Sequence, residues 1–123
     1  MNPRRLSTGI AYTPRGAMHH RITLLTLNKK RDDSGEFLPP TDFSDCWADI
    51  SLLQGKELDK AQQIIAEVTH KVVVSYQPGI ESQMLVQFED RVFTIQAVQD
   101  PDERHVELHL LCVERNEGLP GEQ

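Results

Sequence analysis

A chain of 123 residues with only seven aromatics has room for one domain and one modest core, so support from neighbouring subunits would not be surprising. No apolar run approaches the ~20 residues a membrane helix needs, and no apolar signal segment follows the basic start MNPRRLSTGIAYTPRG. The net charge of -6 is unevenly spread: residues 1–31 hold seven Lys and Arg and no acid, and the remainder holds six against nineteen acids. A basic arm on an acidic body fits nucleic-acid contact, an arm laid over the acidic surface of an adjacent copy, or an arm that is merely solvated.

Residues 1–18 carry Gly, Pro and Ser without periodicity and read as that arm, with Arg4, Arg5 and Arg15 as its cations. HRITLLTL, residues 20–27, reads as a first strand whose two faces are both apolar, so its inward side is open. NKKRDDSGEFLPPTDF, residues 28–43, has no element and carries the breakers Ser34-Gly35 and Pro39-Pro40. Connections of that length in small domains tend to be functional or disordered. The second strand is expected over residues 46–53, with Ala48, Ile50 and Leu52 on one side and Trp47, Asp49 and Ser51 on the other.

From Gly55 the apolar positions Leu58, Ala61, Ile64, Ile65 and Val68 recur at helical spacing opposite Lys60, Gln62, Gln63 and Glu67. After Thr69 the period drops to two. Val72, Val74 and Tyr76 then face one way and Lys71, Val73 and Ser75 the other, until Pro78-Gly79 ends the third strand. A fourth strand covers residues 84–88, and Glu89-Asp90-Arg91 turns into a fifth in which Phe93, Ile95 and Ala97 alternate. Asp100-Pro101-Asp102-Glu103 is turn chemistry. In HVELHLLCVE, Val106, Leu108, Leu110 and Cys112 alternate with His105, Glu107, His109 and Leu111, and the tail from Asn116 is polar. These elements predict a mainly β fold: a small antiparallel barrel or sandwich of about six strands, one inserted α-helix, and a long loop between the first two strands.

Catalytic signatures are missing. The chain has no Gly-rich phosphate loop, CxxC, HExxH or G-x-S-x-G. His105 and His109 have HxxxH spacing, but on a strand four residues span about 13 Å, too far for one metal, so both read as outward polar residues. His70 lacks a nucleophile with a placed base. Cys46 and Cys112 read as buried, reduced thiols. The expectation is a non-enzyme without cofactor or metal.

Ordered pieces of the chain resemble one family. They are HRITLLTL, CWADISLLQGKEL, AQQIIAEVTHKVVVSYQPGI and RVFTIQAVQDPDERHVELHLLCVE, with Trp47-Ala48, Gly55 with Glu57, Ala61 and Gln63, Glu67 with Thr69-His70, Tyr76 with Gly79, Phe93 with Ile95, and Asp100 with Arg104. Over residues 19–115 the chain resembles the head–tail joining proteins of long-tailed phages, also called head-closure or stopper proteins. Gln54 departs from the Ser that commonly precedes the glycine, which removes a helix cap worth up to about 1 kcal/mol.

The resemblance implies a β-barrel domain at residues 19–115, flanked by a basic arm (1–18) and a polar tail (116–123). It implies assembly as a twelve-fold or six-fold homo-oligomeric ring below the portal and its adaptor, with tail proteins docking beneath and no membrane. The loop between the first strands would face packaged double-stranded DNA in the channel through Lys29, Lys30, Arg31, Asp32, Asp33, Glu36 and Phe37. Its mixed charge suits a wall that both retains and releases DNA. Arg4, Arg5 and Arg15 are the expected contacts to a neighbouring subunit or the adaptor. Two alternatives stand beside this reading: an adaptor or tail-end ring of the same stack, and a nucleic-acid-binding small barrel, against which Tyr76, Phe88 and Phe93 are expected in the core.

Overall fold

The computed structural model describes residues 14–27 and 39–116. Within them a 3-10 turn at Arg15–Ala17 precedes β1 (His20–Thr26), β2 (Thr41–Leu52), α1 (Gly55–Ile64), β3 (His70–Ser75), β4 (Leu85–Phe88), β5 (Arg91–Gln99) and β6 (Glu107–Arg115). The six strands close into a barrel in the order β1-β2-β3-β6-β5-β4, with every neighbouring pair antiparallel. Closure leaves no unpaired sheet edge.

Alternating strand direction sorts the connections. Those between β1 and β2, β3 and β4, and β5 and β6 share one barrel end, hereafter the loop end. Those between β2 and β3 (which carries α1) and between β4 and β5 share the other, the helix end. The chain also enters β1 and leaves β6 at the helix end.

Strand alternation fills the interior. Ile22 and Leu24, Ala48, Val72 and Val74, Val86, Phe93 and Ile95, and Leu108, Leu110 and Cys112 form one buried cluster. Each such aliphatic or aromatic side chain contributes about 1.5–3 kcal/mol on burial. The side of β1 left open by its sequence is thereby decided: Ile22 and Leu24 point inward. Leu25, the next residue, faces the other side and packs in a separate cluster with Leu85 and Val92.

The helix packs on the outside of the barrel. Leu53, Ala61, Val68 and Leu111 are buried together, with Leu58, Ile65 and Ala97 against them. This is why Leu111, alternating with interior Leu110, is nevertheless buried. Sequence periodicity overextends the apolar stripe. The helix stops at Ile64, the Ile65 N–H donates to the Ala61 carbonyl at 3.0 Å, and Ile64 stays 55% exposed. Val68 reaches the same cluster from the turn after the helix. Gln54 makes no side-chain cap, as its sequence predicts. The first turn is held instead by Glu57, which accepts from Lys71 Nζ of β3 at 2.7 Å.

Three strand boundaries differ from expectation. β2 begins at Thr41, five residues before the predicted start, because Thr26, Leu25 and Leu24 of β1 pair with Thr41, Asp42 and Ser44. A partner's ladder of hydrogen bonds overrides the poor strand propensity of Asp and Ser. At its other end Leu52 is 57% exposed and Leu53 turns in beneath the helix. β6 begins only at Glu107, since His105 has φ 58, a left-handed conformation that cannot enter a ladder. β3 ends at Ser75, which leaves Tyr76 on the surface rather than in the core.

Candidate functional site

The loop end is shaped by positions at which the backbone is forced. In the β3–β4 connection Gly79 has φ +93, and a Cβ there would lie 2.9 Å from Phe43 Cζ. Only glycine meets both demands, so its place beside Tyr76 in the resemblance has a steric cause. In the β5–β6 connection Asp102, Glu103 and His105 all adopt positive φ without being glycine. Such positions persist where their surroundings over-determine them. Here Asp100 accepts from the His105 backbone N–H at 3.0 Å and also meets its ring Nδ1. The His105 ring in turn stacks on Tyr76 at 4.4 Å between centroids. Arg104 pairs with Asp102 at 3.2 Å.

The helix end is closed by charge and rings. Arg91 binds Glu114 through two hydrogen bonds, at 2.9 and 3.0 Å. The guanidinium holds the Glu114 carboxyl below its usual range, and the carboxylate raises Arg91. Arg91 also lies over the Phe93 ring at 5.0 Å, and His70 meets the same ring edge-on at 5.1 Å. Burial lowers the His70 pKa from 6.5 by disfavouring the charged imidazole. His70 Nδ1 also lies 2.9 Å from the Thr69 hydroxyl.

A groove of about 670 Å³ runs along the outer wall of β1, β2 and β3. Sequence reading missed it. With β2 begun at Thr41, Asp45 joins Trp47 and Asp49 on its outward side, and the alternation ends at Phe43, which the pairing with β1 skips. Trp47 is 53% exposed, with the Arg21 guanidinium over its ring at 5.5 Å. Tyr76 forms another wall. Met18, buried, reaches across β2 to within 3.9 Å of the Ser75 hydroxyl.

Several other expected residues have plain positions. Ala48 is fully buried beside Trp47, Gly55 opens α1 with φ +60, and Glu67 is exposed in the turn after the helix. The pair expected as outward polar residues divides. His105 is exposed, whereas His109 Nε2 lies 2.6 Å from the carboxylate of Glu107, which is only 2% exposed. The outer wall of β6 is therefore not simply solvated, as its alternation predicts. Cys112 is buried and Cys46 half-buried, and both are free thiols. Burial pushes both pKa values up, so neither is a ready thiolate. Among the described residues no group of three or more His, Cys, Asp and Glu is placed to hold a metal, and no helix is long and apolar enough to cross a membrane.

Lys29, Lys30, Arg31, Asp32, Asp33, Glu36 and Phe37 lie outside the described residues, as do Arg4 and Arg5. Arg15 lies in the 3-10 turn before β1. What the structure places is the attachment of the long connection: Leu27 and Pro39 both stand at the loop end.

The solution structure of protein SF1141 from Shigella flexneri 2a is similar, with a TM-score of 0.67 at 26% sequence identity, covering 85% of this chain and 99% of that one. No curated protein matches the chain. The family model described as phage head completion protein matches residues 13–115, which spans the whole barrel, the helix and the long connection. With that match over most of its length, this six-stranded closed barrel with one outer helix belongs to the phage head completion protein family.

Proposed function

We propose that this protein closes the DNA-filled phage head as a ring beneath the portal and its adaptor, and presents the surface on which the tail docks. Family membership supplies the coarser part, a structural role in head completion within the virion. The observation that favours the finer reading is the sorting of connections by the barrel. The long β1–β2 connection, with its run Lys29-Lys30-Arg31-Asp32-Asp33, springs from the end opposite α1 and the chain's entry. Copies arranged about an axis would bring these loops together over the opening, leaving the opposite end for other contacts. Crowding by many copies narrows a pore without reading bases. Arg4, Arg5 and Arg15 then serve contacts to the neighbouring subunit or adaptor, and the neck would be assembled in the host cytoplasm.

The test removes residues 30–38, which leaves β2 intact. Assembled heads should then lose packaged DNA while the isolated protein stays folded. Heads that retain their genome would end the proposal for this loop. An adaptor or tail-end ring of the same stack is distinguished by imaging which layer the chain occupies. The nucleic-acid-binding reading is weakened by the outer wall of β2, where exposed Trp47 stands between Asp45 and Asp49 and its ring is already covered on one face by Arg21 of β1.

A further inference from the structure

The β5–β6 connection has a second conformation within reach. We propose that this connection is a latch: the Asp100 clasp on His105 holds Tyr76 out against the groove, and its release lets β3 and β6 add one more pair, Tyr76 with Val106. That pairing carries the Tyr76 ring to the loop-end mouth of the barrel.

Three observations carry the proposal. The first is an unfinished ladder. The register of β3 with β6 runs to Ser75 opposite Glu107, so the next pair is Tyr76 with Val106. Its first bond exists, from the Tyr76 N–H to the Val106 carbonyl at 3.0 Å, yet β3 ends at Ser75 and β6 begins at Glu107. What interrupts them is His105, whose φ of 58 turns the chain out of the β region. The second is strain with no burial to hold it. Asp102, Glu103 and His105 are left-handed within four residues, and residues 102–106 are all exposed. Asp and His tolerate that region better than most side chains, a tolerance Glu103 lacks. Such a conformation persists only where its surroundings impose it. Here they are the turn bond from the Glu103 N–H to the Asp100 carbonyl at 2.8 Å, the exposed Arg104–Asp102 pair, and Asp100 itself. The Asp100 carboxylate accepts from the His105 N–H and meets its ring.

The third observation is phase. Tyr76 shares the alternation of Val72 and Val74, which point into the barrel, so a strand continued through Tyr76 takes its ring to the interior side, beside Val74 and Leu108. Instead the ring lines the groove and stacks on His105 at 4.4 Å. Latched, the groove beside Trp47 keeps its Tyr76 wall. Released, that wall is withdrawn and the barrel mouth gains a cap. The inference concerns the fold of the chain and does not depend on the closure role.

Amide hydrogen exchange and nuclear Overhauser contacts in the full-length protein test the latch with two variants of the same loop. Asp100→Ala removes the clasp. Glu103→Gly relieves one left-handed position and leaves the clasp in place. In Asp100→Ala the Val106 amide should exchange about tenfold more slowly than in the unaltered protein, because it now donates to the Tyr76 carbonyl. Contacts of the Tyr76 ring should move from His105 to the methyls of Val74 and Leu108. In Glu103→Gly the Val106 amide should gain no protection and the ring should keep its contact with His105. The Leu110 amide, inside the same ladder, reports that the barrel is folded in both. Faster exchange at Tyr76 and Val106 in Asp100→Ala would mean that the clasp only holds a fraying end, and would overturn the proposal. So would a Tyr76 ring that stays beside His105 once the clasp is gone, or equal protection of Val106 in the two variants.

Discussion

The two ends of the barrel are built on opposite principles. The helix end is held by side chains: Phe93 fully buried, Arg91 and His70 against its ring, and Glu114 bonded twice to Arg91. The loop end is held by backbone: Gly79 pressed on Phe43, and the left-handed residues of the β5–β6 connection pinned by Asp100. Side-chain packing tolerates conservative exchange and titrates with pH. Backbone conformation at Gly79 does neither, although the β5–β6 connection leans on charged side chains as well, Asp100 against His105 and Asp102 against Arg104.

That contrast can be broken most forcefully from the helix end. Phe93→Ala leaves a void at the centre of the main cluster and should cost about 3–5 kcal/mol in urea unfolding. At the loop end, Gly79→Ala should cost about 1–3 kcal/mol. Adding Phe43→Ala should recover the steric part of that loss and none of the part due to φ +93. Full recovery in the double variant would show that the backbone is not the constraint, and would erase the distinction between the ends.

Smaller effects sharpen it. Arg91→Ala should cost only about 0.2–1 kcal/mol, since the pair with Glu114 is a third or more exposed and solvent screens it. The Glu114 carboxyl is held below its usual range, so its contribution is present above the ordinary carboxylate pKa and is lost as pH falls through the lowered value. His70 adds a separate acid sensitivity. With its folded pKa lowered from 6.5, the unfolded chain binds the proton first, and stability declines as pH falls from 6.5 toward the lowered value. His70→Gln should flatten that part of the curve, as read by thermal melts across pH, and leave the acid limb of Glu114. Smallest of all, removal of residues 30–38 should leave the unfolding midpoint unchanged within error, because the ladder of β1 with β2 ends at Thr26 and Thr41.

Much of the fold is legible in the chain because burial on one face of a strand writes a period of two. Val72 and Val74 of β3 and Leu108, Leu110 and Cys112 of β6 follow from it directly, whereas in β5 a register shift after Ile95 takes Ala97 out of phase with Phe93 and Ile95 and sets it under the helix. Misreadings cluster where a residue's fate depends on a partner distant in sequence. Thr41–Asp45 looks like loop by composition and becomes strand only because β1 lies beside it. Tyr76 keeps the phase of Val72 and Val74, yet the strand stops one residue short of it. Ile64 keeps the helical phase, yet the helix end carries it past the barrel wall. The same blindness hid the groove, since its walls come from β1, β2, β3 and the segment before β1.

Composition and periodicity alone determined the class, mainly β with a single helix and a long first connection, set by local burial and turn chemistry. Barrel closure, the common end shared by three connections, the outer position of the helix and the groove beside Trp47 were decided only by tertiary structure. The physical reason is that local pattern states which residues must be hidden, while pairing between distant strands decides what hides them.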